Sequence, residues 1–153
     1  MASWKYFERE VAKELCKQWD MTYGEDIVRT PSSGALYWKG DIYYKSERAR
    51  KEIPFFVECK YQKTFRIDQI IHESPEIQSW MEKAKQQASD GYIPILVLSR
   101  PMYSRYVVLE RTYIDESALF SRVDQFMPII LTPHYVVFEL CHLRKITQFL
   151  KKE

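Results

Sequence analysis

Two carboxylates and a lysine lie close together in segment 41–60, in a pattern that can support chemistry. Asp41 follows Gly40, and Glu58 and Lys60 stand two residues apart in an apolar run. Because side chains alternate along a strand, Glu58 and Lys60 point to the same face. A buried ion costs on the order of several kcal/mol unless a partner compensates it, so charges at these positions need an explanation.

A divalent cation is one such explanation. If the two strands pair as a hairpin, the Asp41 carboxylate lies near that of Glu58, and the two repel. Mg2+ between them would relieve the repulsion, because hard cations take oxygen ligands, and it can also stabilise charge on a phosphate. Lys60 would then contact the same phosphate or the attacking water. The alternative is a cross-strand salt bridge beside an exposed aspartate, since an acid and a lysine at this spacing are common.

The first predicted helix contributes a third acid. Apolar residues recur at helical spacing over 4–19, which predicts an amphipathic helix. At about 100° per residue, Glu8 falls inside the apolar arc and Glu10 falls outside it. Glu8 therefore either points into the same acidic pocket as the two strand acids, or reaches water at the edge of the stripe, or pairs with an arginine.

Apolar periodicity and turn residues predict the elements that position these side chains. The predicted helices cover 4–19, 75–90, 115–122 and the C-terminal end. The predicted strands cover 27–30, 40–45, 54–60, 93–99, 106–110 and 135–140. The second and third strands are expected to form a hairpin across a charged turn. This order indicates a mixed α/β sheet with helices on both faces, in a single domain spanning 1–153.

Charge and composition narrow the classes of protein. The 153 residues carry a formal net charge of +2, so a polyanion must be bound by a local patch. Segment 39–66 is rich in Lys and Arg, although on charge alone a solvated hairpin is favoured. No apolar stretch approaches the roughly 20 residues of a membrane span. We therefore expect a protein of the cytoplasm with no membrane partner.

The three cysteines indicate neither disulfides nor a metal site. Cys16, Cys59 and Cys141 are odd in number, widely spaced and set in apolar contexts. This pattern is typical of reduced core thiols. A zinc site is therefore not expected.

Together these motifs resemble the PD-(D/E)xK nuclease superfamily. "KGDI" on one strand, "FFVECK" on the next, and an upstream helix containing "FEREVAKEL" carry the resemblance, with "IVRTPSSGA" between them. Within the superfamily, about the first 65 residues are most similar to archaeal-type and phage Holliday junction resolvases. Beyond them only the order of elements is similar. The resemblance implies a restriction-endonuclease-like core and metal-dependent hydrolysis of DNA phosphodiesters.

The resemblance also implies roles for the residues that match its motifs. Glu8, Asp41 and Glu58 would hold the metal, Mg2+ or as a substitute Mn2+, with the carbonyl of Cys59 as a further ligand. Lys60 would assist the nucleophilic water. These three acids and the lysine form the expected catalytic set.

DNA contacts are expected from four residues. Arg9 and Arg29 match arginines that engage the DNA backbone in the family, and Ser33 falls in the Ser-Gly loop. Lys63 directly follows the strand of Glu58 and could flank a phosphate track, although a solvated loop explains it equally well.

The resolvase resemblance implies a homodimer acting in DNA recombination or repair. A four-way junction is cut on two symmetric strands, so a two-fold axis in the protein matches that of the substrate. Apolar surface on the C-terminal half, including the strand of Phe138, is a candidate for the dimer contact. Departures from the family are longer loops before and after Asp41, and Gly40 in place of the motif proline. Two alternatives remain: another nuclease of the superfamily, of restriction or repair type, and a catalytically silent DNA-binding module of the same fold.

Overall fold

A computed structural model describes residues 4–31, 38–100, 104–122 and 128–152. The helices are α1 (Trp4–Trp19), α2 (Glu47–Glu52), α3 (Ile67–Ile71), α4 (Pro75–Gln87), α5 (Glu116–Phe120) and α6 (Leu143–Ile146). The strands are β1 (Ile27–Arg29), β2 (Ile42–Tyr44), β3 (Phe55–Tyr61), β4 (Ile93–Ser99), β5 (Tyr106–Glu110), β6 (Ile130–Leu131) and β7 (Tyr135–Glu139). The predicted mixed α/β architecture is confirmed.

The strands form a five-stranded sheet and a separate two-stranded ribbon. The sheet has the order β3-β4-β5-β7-β6, and the ribbon joins β1 to β2 in antiparallel fashion. β3 and β4 run parallel, with Glu58 opposite Leu96 and Lys60 opposite Leu98, while the other sheet pairs are antiparallel. Parallel neighbours need a crossover connection, and α3 and α4 supply it. The sheet is therefore mixed, with β3 at one edge.

Helices cover both faces of β3, as the sequence predicted. The Phe7 ring of α1 stacks on Tyr61 with 5.2 Å between ring centroids. The Trp80 ring of α4 lies 5.4 Å from the Lys60 ammonium. Because successive side chains of a strand point to opposite faces, these two contacts place α1 and α4 on opposite sides. In the described ranges, none of these helices has the length and apolar character needed to cross a membrane.

The predicted hairpin between 40–45 and 54–60 is wrong. The charged segment between the two strands forms α2, and the hydroxyl of Ser46 caps it by accepting the Ala49 N–H at 3.0 Å. Ion pairs Glu47–Lys51 and Arg48–Glu52, each at 2.9 Å, bridge successive turns. Such i,i+4 pairs and a serine cap favour a helix over a turn. β2 is thus released to pair with β1, and β3 pairs with β4.

Other differences concern short elements. The structure adds α3 and β6, which the sequence patterns do not reveal, and it breaks the predicted terminal helix into α6 flanked by 3-10 turns at Leu140–His142 and Thr147–Phe149. A backbone bridge between Ile114 and Leu150 ties this end to the segment before α5. Elements of two to five residues span too few periods for an apolar pattern to identify them.

The C-terminal half corrects two further expectations. Phe138 is only 1% exposed, because β7 is paired on one side with β5 and on the other with β6. This side chain therefore offers no surface for a dimer contact, whereas a dimer contact elsewhere on the C-terminal half stays a prediction. Cys16 and Cys59 are buried free thiols as predicted, whereas Cys141 is free but exposed.

A buried carboxylate fixes the start of α4. Glu73 has a left-handed backbone with φ of 48° and lies just before Ser74, which caps α4. One oxygen of Glu73 accepts the Thr132 hydroxyl and the His134 N–H, both at 2.6 Å, and the other lies 2.7 Å from the His134 ring. Burial opposes ionisation, but these hydrogen bonds prevail and lower the pKa of Glu73 below its usual value. The network anchors α4 to the turn between β6 and β7.

We predict that Glu73→Gln destabilises the fold by about 1–3 kcal/mol, because an amide supplies only one acceptor oxygen where the structure uses two. Denaturant unfolding at neutral pH measures the change. The control is Glu82→Gln on α4, whose exposed carboxylate pairs with Lys85 at 3.8 Å and should cost less than about 1 kcal/mol. Equal losses in the two variants would contradict the proposed anchoring role of Glu73.

Candidate active site

Asp41 is placed against β3 by its own backbone. Its N–H donates to the carbonyl of Val57 at 3.0 Å, and its carbonyl accepts the N–H of Thr30 at 2.8 Å. The carboxylate then accepts the N–H of Cys59 at 2.7 Å. The predicted closeness of Asp41 to the strand of Glu58 therefore holds, although these edge hydrogen bonds and not a hairpin produce it.

The close approach explains the glycine before Asp41. A Cβ atom at Gly40 would stand 3.1 Å from the Phe56 ring and 3.2 Å from the carbonyl oxygen of Val57. A side chain there would require the Phe56 ring or the Val57 carbonyl to shift by a few tenths of an ångström. Gly40, which replaces the proline of the resembled motif, is thus suited to holding Asp41 in its place.

Two glutamates lie beside Asp41. Glu8 is 6% exposed on α1, and the Glu58 side chain is 12% exposed on β3. Burial, followed by the negative charge of Asp41 and a hydrogen-bonding contact with its carboxyl group, raises the pKa of Glu8 to about 7. Burial and the same two effects of Asp41 raise the pKa of Glu58 to about 7 as well. Each glutamate therefore lies close enough to Asp41 for the charge of Asp41 to oppose its ionisation.

Two cations flank the acids. The Arg29 Nε atom lies 3.2 Å from the Glu8 carboxylate, and the Lys60 Nζ atom lies 3.7 Å from that of Glu58. Both positive charges oppose the rise of the glutamate pKa values. Glu8 thus satisfies two of its three predicted alternatives at once, since it pairs with an arginine and also faces the acidic pocket. The shared orientation of Glu58 and Lys60, predicted from strand alternation, is confirmed by their contact.

Cys59 enters the site through its backbone. Burial, and then the charges of Asp41, Glu8 and Glu58, raise the pKa of its thiol well above the ordinary value. The sulfur is therefore a neutral thiol near neutral pH and not a thiolate ligand. The role of the Cys59 carbonyl as a metal ligand stays a prediction.

α4 contributes two residues that the sequence reasoning missed. Trp80 holds its ring 5.4 Å from the Lys60 ammonium. Lys83, exposed one turn further along, offsets part of the burial effect on Glu58, because its positive charge lowers the pKa of that carboxyl. Both residues fall on the predicted helix 75–90, but Trp80 was assigned to its apolar stripe, and Lys83 was placed beside that stripe without a role.

The residues predicted to contact DNA do not all lie in the acidic site. Arg29 lies in the site, with its guanidinium 5.6 Å from the Trp4 ring. Arg9 on α1 and Lys63 after β3 are exposed. Ser33 falls outside the described residues. DNA contact by these four residues stays a prediction.

The arginines of the basic segment 39–66 have structural contacts. The Arg48 guanidinium donates to the carbonyls of Trp19 and Asp20, both at 3.1 Å. The guanidinium of Arg50 donates to the carbonyls of Tyr44 and Lys45. These bonds close the ends of neighbouring elements. They favour a structural role for these arginines over a dedicated patch that binds a polyanion.

The donor set suits a hard divalent cation. Carboxylate oxygens are the ligands that Mg2+ and Mn2+ take in proteins, and two buried acids with pKa values near 7 hold protons that such a cation can replace. Within the described ranges, no group of three or more His, Cys, Asp or Glu side chains is already spaced as ligands of one metal ion. The acids instead meet in pairs, each glutamate with Asp41.

Comparison with known proteins gives the family. Residues 5–137, most of the chain, match the family described as "Phage putative PDDEXK endonuclease". The match includes α1, the ribbon, β3 and the sheet as far as β7, so it contains every acid described above. Neither the curated proteins nor the solved structures include a match to the chain. The shared family and the mixed sheet with its acidic edge agree, and the chain belongs to the phage PDDEXK endonuclease family.

Proposed function

We propose that this endonuclease is metal-dependent, cleaves DNA phosphodiesters at the cluster around Asp41, and nicks four-way junctions symmetrically as a homodimer. The observation that carries the catalytic part is the closeness of Glu8 and Glu58 to Asp41, whose charge raises the pKa of both glutamates, with Lys60 3.7 Å from Glu58. Buried carboxylates placed close together are unfavourable for folding, and a bound cation would offset their repulsion. The junction part depends on the sequence resemblance of about the first 65 residues.

In this proposal Glu8, Asp41 and Glu58 bind Mg2+ or Mn2+, with the Cys59 carbonyl as a further ligand. When bound, the cation polarises the scissile phosphate and makes a bound water more acidic. Lys60 holds its ammonium beside Glu58, where it can orient the attacking water or balance charge on the pentacovalent phosphate. Arg29 keeps Glu8 oriented through their 3.2 Å ion pair.

Substrate contact extends outward from this cluster. Arg29 is 17% exposed and can add a contact to a DNA phosphate while it still touches Glu8. Arg9, Ser33 and Lys63 are the other proposed backbone contacts. A phosphate contact by each would strengthen binding of any sequence equally, which suits an enzyme that selects DNA by shape.

A dimer would carry two such clusters related by a two-fold axis. Symmetric nicks in a junction need two sites at fixed spacing, which a homodimer provides. The Phe138 side chain is buried, so we propose that other residues of the C-terminal half form the dimer surface.

Cleavage assays test the proposed substrate. Purified protein is incubated with labelled four-way junction, linear duplex and single-stranded DNA, each with Mg2+, Mn2+ or EDTA. We expect paired nicks in the junction, no cleavage in EDTA, and at least about a 100-fold loss of rate in Lys60→Ala with junction binding retained.

The alternatives give other results in the same assay. Equal cleavage of linear duplex would reject junction selectivity and leave a nuclease of restriction or repair type. DNA binding with no cleavage under any metal would reject the enzymatic proposal and favour a silent binding module. Wild-type turnover in Lys60→Ala would reject the role of the lysine. Sedimentation of the protein with and without junction measures the dimer.

We predict that Glu8→Gln lowers the cleavage rate by about 100-fold or more, because it removes a charged ligand from the cluster. Glu10→Gln on the same helix is the matched control. The Glu10 side chain is 25% exposed and pairs with Lys13 at 3.6 Å, and its replacement should change the rate less than about two-fold. Similar losses in both variants would show that the inward position of Glu8 has no catalytic importance.

We predict that the metal-free protein loses stability as pH rises from about 4.5 to about 7. The pKa of Glu8 and that of Glu58 rise from 4.5 to about 7 on folding, so the folded chain holds more protons than the unfolded chain in this window. Stability then falls with pH, by on the order of 1–3 kcal/mol. Mg2+ should stabilise the protein more at pH 8 than at pH 5.5, because protons compete with it.

Thermal unfolding across this pH range, with and without Mg2+, measures both effects. Asp41→Asn should flatten the pH dependence of stability. It removes the negative charge that, second only to burial, raises the pKa values of Glu8 and Glu58. Asp90→Asn, at an exposed acid, is the control and should leave the dependence unchanged. A metal-free protein whose stability rises between pH 5 and pH 7 would contradict the raised pKa values.

A further inference from the structure

The Lys60 ammonium lies near two groups. The Glu58 carboxylate is 3.7 Å from it, and the Trp80 ring centroid is 5.4 Å from it. Lys60 is partly shielded, with 26% of its side chain exposed, and Trp80 is half-buried against the core. An ammonium over an indole face is attracted by the negative potential of the ring.

The two groups that contact Lys60 differ in whether they also bind a metal ion. In the proposed function the Glu58 carboxylate is shared with a cation, whose charge competes with that of Lys60 for the same oxygens. The indole face has no such second role. A lysine has four flexible methylene groups, so an ammonium held by a shared carboxylate alone can take many positions. The ring is therefore the contact that can keep the ammonium in place when a metal is bound.

The ring is itself fixed by a rigid element. Trp80 lies on α4 among residues whose side chains are fully packed into the core, Ile77, Met81 and Ala84. The start of this helix is held by the hydrogen bonds of Glu73 to the turn before β7. Side chains on packed helices hold geometry better than side chains on loops.

We propose that Trp80 is a positioning residue that holds the Lys60 ammonium beside the acids, so that α4 sets the placement of the lysine used in cleavage. The proposal rests on the proposed function. It assigns Trp80 a task that its place in the apolar stripe does not require. If Trp80 were only a packing residue, the electron density of its ring would have no effect on cleavage.

Substitutions that keep or remove the aromatic face give the first test. Trp80→Phe keeps a ring, whereas Trp80→Leu keeps apolar bulk without one. We expect kcat on DNA to fall about 10-fold or more in Trp80→Leu and less than about 3-fold in Trp80→Phe, with the Kd for DNA unchanged in both. Equal losses of kcat in the two variants, or wild-type kcat in Trp80→Leu, would overturn the proposal.

A matched control removes a similar contact elsewhere. The Lys13 ammonium lies 5.8 Å from the Tyr23 ring centroid, outside the site. Tyr23→Leu should leave kcat within about two-fold of wild type. A loss as large as that of Trp80→Leu would mean that any such pair affects the rate, and would overturn a specific role for Trp80.

Fluorinated tryptophans at position 80 give a second test that does not depend on whether Trp80→Leu folds. Each added fluorine weakens the negative face of the ring and changes its shape little. We expect kcat to fall stepwise with the number of fluorines while the melting temperature stays constant. A flat series would overturn the proposal, since a packing role depends on shape alone.

Labelling of Lys60 separates a failure of this proposal from a failure of the proposed function. The wild type and the position-80 variants are treated with a limiting amine-acylating reagent, and modification of Lys60 is quantified by peptide mass spectrometry against exposed Lys51. Loss of the ring should increase the relative acylation of Lys60 several-fold, whether or not the protein cleaves DNA. Unchanged acylation would overturn the positioning role, whereas an inactive wild type with this increase would reject only the nuclease proposal.

Discussion

The hydrogen bonds of Asp41 to β3 are the constraint on which the rest of the site depends. β3 is an edge strand, and the outward carbonyl of Val57 and N–H of Cys59 need partners there. Asp41 supplies both, through its own N–H and its carboxylate. An unpaired sheet edge is both costly and prone to aggregation, so the fold needs these contacts for its own stability. The same contacts bring an acid to the strand of Glu58.

This placement creates an electrostatic problem that the fold solves only in part. Burial and the nearby Asp41 charge raise the pKa values of Glu8 and Glu58 to about 7, despite the ion pairs with Arg29 and Lys60. A cluster optimised for stability alone would contain fewer acids or more cations. Buried charges without full compensation are usual at functional sites, where a bound ion or substrate supplies the missing opposite charge. The family match to phage PDDEXK endonucleases is consistent with that interpretation.

Local patterns were sufficient for some of these features and not for others. The inward position of Glu8 followed from helical periodicity, and the common face of Glu58 and Lys60 followed from strand alternation. The hairpin prediction failed because the charged stretch after Ser46 was treated as a turn, although its i,i+4 ion pairs favour a helix. The role of Trp80 was not visible, because an aromatic residue on a helical stripe is ordinarily part of the core.

The sequence by itself determined the longer helices and strands, their order, and which side chains face inward, because these depend on interactions over only a few residues. Only the tertiary structure decided which inward faces meet. Glu8, Asp41 and Lys60 are far apart in the chain, and their meeting depends on the edge hydrogen bonds of Asp41 and on how α1 and α4 dock. Docking is set by the combined packing of the whole core, which no local pattern contains.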